Sequence, residues 1–405
     1  MLMRHVRLAT GLSIFLGLAS PAVAEGIGLD PVLFGDTRLR YEFANEAESL
    51  LDANGLTQSL RLGIETPFLS RFSVLIEGEA VLAIVNDFDD GTGNNSDRPV
   101  ILDPNGLELN RAQISARLTD QSFLTVGRQN LTIDDQRFIG TLAFRQNTQT
   151  FDAAHIAWRT SGGSTFQAAY ISRVNRALGA DNPAGRFRGD SYVLNANVQT
   201  PFGRVGAFHY ALDLETGPAT SLTSVNSSQT TGARYDGRWH RQDFGLDVEA
   251  SYARQKDFAD NPVDYNADYW LVGARAFAGP VSASFRAETL GAGNGQSFQT
   301  PLATLHKFQG EADIFLITPI DGIRDLEVSA QWNIDDIGPF KGIKTSANFH
   351  WFDAERGNAS YGTEVDLSLK AKVAEIDIAL IYADYQADSF GTDTQRVFFS
   401  ISKRF

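Results

Sequence analysis

The sequence predicts an all-β protein, a transmembrane antiparallel β-barrel of 18 strands, and three observations carry that prediction. Apolar and polar side chains alternate with a period of two in run after run. The connections between runs are short and long in turn. The last stretch, Arg396 to Phe405, is itself such a run: Val397, Phe399, Ile401, Lys403 and Phe405 share one parity, and Ser400, Ser402 and Arg404 the other. A closing strand that ends on an aromatic residue is a familiar mark of outer-membrane barrels.

Composition bounds the alternatives. The chain has 405 residues, 43% of them apolar, with 28 Phe, 11 Tyr, 36 Gly and no Cys. Disulfides and thiolate metal sites are therefore excluded. The formal charge of -14 argues against a nucleic-acid partner. Arg4 and Arg7, the apolar stretch Leu8 to Leu18 and Ala22-Val-Ala24 form a secretory signal peptide, so residues 1–24 are expected to be cleaved. The 35 basic residues lose those two arginines and no acid is lost, which leaves -16 on a single barrel domain, 25–405. No later apolar run reaches about 18 residues, so no helical span is expected.

In chain order, Phe34 to Phe43 sets Leu39, Tyr41 and Phe43 against Arg38, Arg40 and Glu42. Leu56 to Ile64 sets Leu60 and Leu62 against Ser59 and Arg61. After the Thr66-Pro-Phe68 turn, Phe72 to Leu82 places Val74, Ile76 and Ala80 opposite Glu77 and Glu79. One such strand fits a soluble sandwich as well as a membrane barrel. The connections discriminate. Short ones fall at Thr119–Ser122, Ser161–Gly163, Thr200–Gly203, His240–Asp243, Ala278–Pro280 and Asp335–Pro339; long ones fall at 85–107, 129–148 and 174–190. Short periplasmic turns and long outer loops give this order. Nineteen runs are countable if Glu311 to Ile317 is included. That run is interrupted by Glu311 and Asp313, and moving it into the loop from Gly291 restores both the even number and the alternation.

The polar parity is charged. Arg38, Arg40, Arg61, Arg111, Arg117 and Arg173 are expected in the lumen, together with Glu65, Glu77, Glu79, Asp247, Glu249, Arg286, Glu288, Glu364 and Asp366. Cross-strand ion pairing accounts for most individual cases. The arginines cluster in the first strands, however, where they suit bidentate binding of carboxylates. The segment 126–153 carries Arg128, Arg137 and Arg145 among Leu131, Phe138, Ile139, Leu142 and Phe144. So amphipathic a loop is expected to fold back into the barrel and narrow it. Asp87, Asp89, Asp90, Asp97 and Asp103 lack calcium-loop spacing and are expected to be a solvated acidic loop. The histidines show no metal-ligand spacing and no G-x-S-x-G occurs, so neither a cofactor nor an enzyme is expected.

Several pieces together resemble the alginate export porin family: Arg38-Leu-Arg-Tyr41, Leu60-Arg-Leu-Gly63, Glu77-Gly-Glu-Ala80, Pro104 to Asn110, Gly127 to Ala153, Ile171 to Arg176, Gly322-Ile-Arg-Asp325 and Tyr382-Ala-Asp-Tyr385. The resemblance implies an 18-stranded barrel with a constricted, arginine-rich pore for an acidic polysaccharide. It implies a constriction built from Arg40, Arg61, Arg111, Arg128, Arg137, Arg145 and Asp152. The expectation is a monomeric outer-membrane channel, in contact with outer-membrane lipid and lipopolysaccharide, that passes anionic or polar oligosaccharides or small anionic solutes. The alternative is a structural or adhesive barrel whose long outer loops are the binding surface.

Overall fold

Alternation at period two puts every second side chain on one face, and a sheet long enough to curl back on itself can close without an edge. In the computed structural model, which describes residues 30–215 and 225–405, the chain does so. The first nine strands are β1 (Val32–Glu46), β2 (Ala53–Glu65), β3 (Phe72–Asp87), β4 (Gly106–Thr119), β5 (Ser122–Gln129), β6 (Thr150–Arg159), β7 (Thr165–Asn175), β8 (Arg186–Thr200) and β9 (Gly203–Leu212). The rest are β10 (Ser228–Arg241), β11 (Phe244–Asp257), β12 (Asn266–Ala278), β13 (Val281–Leu290), β14 (Ile323–Ile334), β15 (Phe340–Asp353), β16 (Ser360–Val373), β17 (Ile376–Ala387) and β18 (Thr394–Arg404). Each pairs antiparallel with its neighbours in sequence, and β1 pairs with β18 to close the barrel. The expected signal peptide lies outside the described residues.

Closure is fixed at the termini. Gly35 and Phe405 exchange two backbone hydrogen bonds, N–H to O at 2.8 and 2.9 Å. A Cβ on residue 35 would sit 2.8 Å from the Phe405 ring, so glycine leaves room for the terminal aromatic. The start of β1 and the end of β18 therefore lie at the end of the barrel that carries the short turns. Three of those turns place a non-glycine residue, Ser70, Gln242 or Ala374, in the left-handed region.

The two faces separate as the parity predicts. On β3, Glu77 is 3% exposed and its neighbour Ile76 is 50% exposed. Such an apolar exterior over a polar interior is the inverse of a soluble fold and suits lipid contact. Aromatic side chains ring the outside at two levels. Trp158 stacks on Phe166 near the short turns, and the tilted pairs Tyr252 with Trp270 and Tyr170 with Tyr192 lie toward the long connections. Glu311 to Ile317 is not a strand, as the alternation of connections requires.

The largest apolar cluster lies inside the barrel. Among the described residues two long connections enter the lumen and pack against the wall: residues 130–149, between β5 and β6, and residues 291–322, between β13 and β14.

Candidate functional site

The first inward connection is anchored by its apolar side chains. Phe138 reaches the far wall, with ring centroids 5.0 Å from Phe208, 5.8 Å from Tyr210 and 5.4 Å from Tyr269. Leu131, Ile133 and Ile139 are fully buried beside it. The second connection is held in the same way, with Phe315 4.6 Å from Phe352 and 5.4 Å from Phe390. Burial of these side chains at roughly 25 cal/mol per Å² offsets part of the cost of ordering each connection, and the hydrogen bonds and ion pairs described below add to it.

The two connections are joined to each other. The Gly140 N–H donates to the Leu302 carbonyl at 2.8 Å, and the Thr304 N–H to the Gln136 carbonyl at 3.1 Å. The Gln149 amide donates to the carbonyls of Gly140 and Leu302. The His306 ring, in a single 3-10 turn (Leu305–Lys307), stacks on Phe144 with centroids 3.3 Å apart. Its Nε2 lies 2.5 Å from Glu311 and its Nδ1 2.8 Å from Asp313. Burial alone lowers the pKa of His306; the two carboxylates outweigh it and hold the imidazole charged, with a pKa raised to about 9. Burial raises that of Asp313, and His306 and Arg145 more than offset this, so its carboxyl stays well below the usual range.

Fixed charge ties this plug to the wall. Arg145 lies 3.3 Å from Glu42 on β1 and 2.5 Å from Asp313. Arg40 lies 2.7 Å from Glu42 and 2.6 Å from Asp103. Arg396 on β18 also binds Glu42, at 3.1 Å. Three guanidinium groups thus share one carboxylate, and Asp103, expected in a solvated acidic loop, is fully buried with Arg40. Arg137 donates to Glu288 at 2.8 Å, Thr300 Oγ1 at 3.0 Å and Gln309 Oε1 at 3.1 Å. Among the described residues no group of His, Asp and Glu has the geometry to hold a metal ion.

The residues singled out in the sequence fall into three groups. Arg40, Arg137 and Arg145 meet the plug, buried and ion-paired. Arg61 and Arg111 face the lumen from β2 and β4, paired with Asp36 at 2.7 Å and with Glu77 at 2.5 Å. Among the described residues Arg38 binds no carboxylate; it donates to Gln146 Oε1 and the Ala143 carbonyl at 2.9 Å each, and to the Arg145 carbonyl.

Arg128, Asp152 and Arg173 are placed elsewhere. Arg128 shares the parity of Val126, which is 50% exposed, whereas Gln129 on the other parity is 2% exposed. In register, Arg128 opposes Ala112 and Asp152, and Asp152 opposes Arg173. The three form an outward row, with Asp152 2.7 Å from Arg128 and 3.2 Å from Arg173. A β-bulge between β6 and β7 sets Arg173 on this face. They do not stand with the arginines of the plug.

Below the plug the lumen wall carries cations that sequence reasoning passed over. Lys344 on β15 and Lys370 on β16 are directly opposite in register, as are Lys341 and Lys372. Lys341 and Lys372 have carboxylates within 4.0 Å, Asp336 and Asp377; among the described residues Lys344 and Lys370 have none. Lys370 shares a recess with Arg38, Arg40 and Phe144. The second inward connection was also missed as a plug, although Phe298, Leu302, Phe308 and Phe315 in one long loop were the available signal.

A family model described as alginate export matches residues 33–279, well over half the chain. The chain belongs to the alginate export family. No curated relative matches it in sequence. Among solved structures, this alginate export barrel is similar to OpdO of Pseudomonas aeruginosa, at 13% identity over 93% of this chain and 97% of that one, with a TM-score of 0.72. It is similar to OccAB4 of Acinetobacter baumannii at 14% identity, over 93% and 98%, with a TM-score of 0.71. It is similar to Pseudomonas aeruginosa OpdK, solved with vanillate, at 14% identity, over 92% and 98%, with a TM-score of 0.67. At that identity the likeness is one of fold. Family and fold together make the chain an outer-membrane channel protein and not an enzyme.

Proposed function

We propose that this alginate export barrel is a passive, monomeric channel that favours anions, passing anionic or polar oligosaccharides such as alginate-like polymers, or small anionic solutes. The observation that carries the reading is the facing pair Lys344 and Lys370. Like charges directly opposite on neighbouring strands are destabilising. Two such pairs at successive inward positions of a lumen, in a protein of formal charge -14, are tolerated where an anion passes beside them. Most plug arginines are neutralised by their own carboxylates, so the selective field is assigned to Lys344, Lys370 and Arg38.

The experiment is a planar-bilayer recording with a salt gradient across the membrane. The expected outcome is an anion-shifted reversal potential that moves toward zero in Lys344→Gln/Lys370→Gln, with block by oligouronates weakened in the same variant. An unchanged reversal potential overturns the assignment. Vanillate, the ligand named with OpdK, serves as the small-anion probe beside the oligouronates. The filled lumen motivates the structural or adhesive reading, and a folded barrel with no conductance at any voltage decides for it.

A further inference from the structure

The outward row at the long-connection end of the wall has features that neither transport nor wall packing uses. It runs in register across four strands: Arg128 on β5, Asp152 on β6, Arg173 on β7 and Arg188 on β8. The row beneath it is Val126, Ala154, Tyr170 and Tyr192, so the charges begin one step beyond the aromatic level. That level marks the border between hydrocarbon and headgroups.

Within the row, Asp152 accepts from Arg128 at 2.7 Å and 3.2 Å, and from Arg173 at 3.2 Å. The third Arg128 donor is used by the Leu109 carbonyl. Arg128 and Asp152 are thereby satisfied and act as a rigid base. Arg173 and Arg188 are not. They stand directly opposite each other with like charge. Arg173 Nε is buried without an acceptor. Among the described residues Arg188 has no carboxylate within 4.0 Å. The nearby Asp190 is engaged by the Tyr170 hydroxyl at 2.6 Å.

We infer that Arg173 and Arg188 form a binding site for a phosphate of an outer-leaflet glycolipid, with Arg128 and Asp152 as positioning residues. Guanidinium groups match phosphate oxygens bidentately, and a bridging phosphate removes the repulsion between the two arginines. The depth selects a lipid headgroup, because the acyl chains then lie along Tyr170, Tyr192 and Val126. The site is independent of the solute that the lumen carries.

The test is native mass spectrometry of the purified full-length barrel in detergent, titrated with diphosphoryl lipid A. The expected result is one tightly bound lipid, with affinity reduced at least about tenfold in Arg173→Gln/Arg188→Gln. Arg254→Gln, a control at an exposed arginine of β11, is expected to bind as wild type. Heat-modifiable migration confirms that each variant is folded, and conductance is expected to be unchanged. Equal binding by the double variant overturns the inference, as does equal binding of a fully dephosphorylated lipid. Displacement by inorganic phosphate at the concentrations at which lipid A binds overturns the lipid assignment and leaves a simple anion site.

Discussion

The His306 ring lies flat on Phe144, with an interplanar angle of 19° and 3.3 Å between centroids, so the two inward connections meet through a charged imidazole on an aromatic face. A protonated ring gains from the π-system and from both carboxylates, Glu311 and Asp313. A neutral ring loses most of both.

That contact sets a pH dependence. The folded pKa of His306 is raised to about 9 from 6.5. Its contribution is fully present below the unfolded value and is lost as pH rises through the folded one. Open-channel noise in bilayer recordings is therefore expected to rise between about pH 8 and 10. In His306→Gln, which cannot charge, the noise is expected to be high throughout and flat across that window. A wild-type profile in the variant refutes the role.

Asp313→Asn removes one partner from Arg145 and one from His306. Breaking a buried ion pair costs about 3–5 kcal/mol, because the remaining charge is left uncompensated. The loss falls on docking of the plug, since the barrel wall keeps its own hydrogen bonds. Hydrogen exchange within 130–149 and 291–322 is expected to accelerate with the strands unaffected, and single-channel conductance to increase. Uniform acceleration across the strands would place the damage in the wall instead.

Lys370→Glu reverses a charge in the recess shared with Arg38 and Arg40. Oligouronate block is expected to fall in this variant. In the wild type, block is expected to weaken as salt is raised from 0.01 M to 1 M, where the screening length shortens from about 30 to 3 Å. A block that is indifferent to both salt and Lys370 would mean that width alone governs passage.

Adjacent residues on β11 test the faces of the wall. Val248 lies on the outward parity with Leu246, which is exposed, and Asp247 lies on the inward parity, 2.6 Å from Arg275. Val248→Arg is expected to cost about 2–4 kcal/mol near mid-depth and to impair assembly. Asp247→Asn is expected to leave assembly nearly normal. Heat-modifiable migration of the folded barrel separates the two; equal defects contradict the parity.

The sequence by itself determined the architecture. Strand number, closure by β18, the exclusion of Glu311 to Ile317 from the wall and the inward turn of 130–149 were all legible. Each follows from a local pattern: period-two alternation, loop order, or apolar residues in a loop. Which arginines act together was decided only by tertiary structure. Arg128 and Asp152 share the outward parity of Val126 and Ile156, but it took a β-bulge between β6 and β7, which leaves no mark in periodicity, to bring Arg173 beside them outside. The neutralisation of Arg145 by Glu42 and Asp313 joins residues more than one hundred positions apart. The free field of Lys344 and Lys370 follows from cross-strand register, which sets two like charges face to face. Docking of the two inward connections fixes the first and the register of β15 on β16 the second, and no single stretch of chain encodes either.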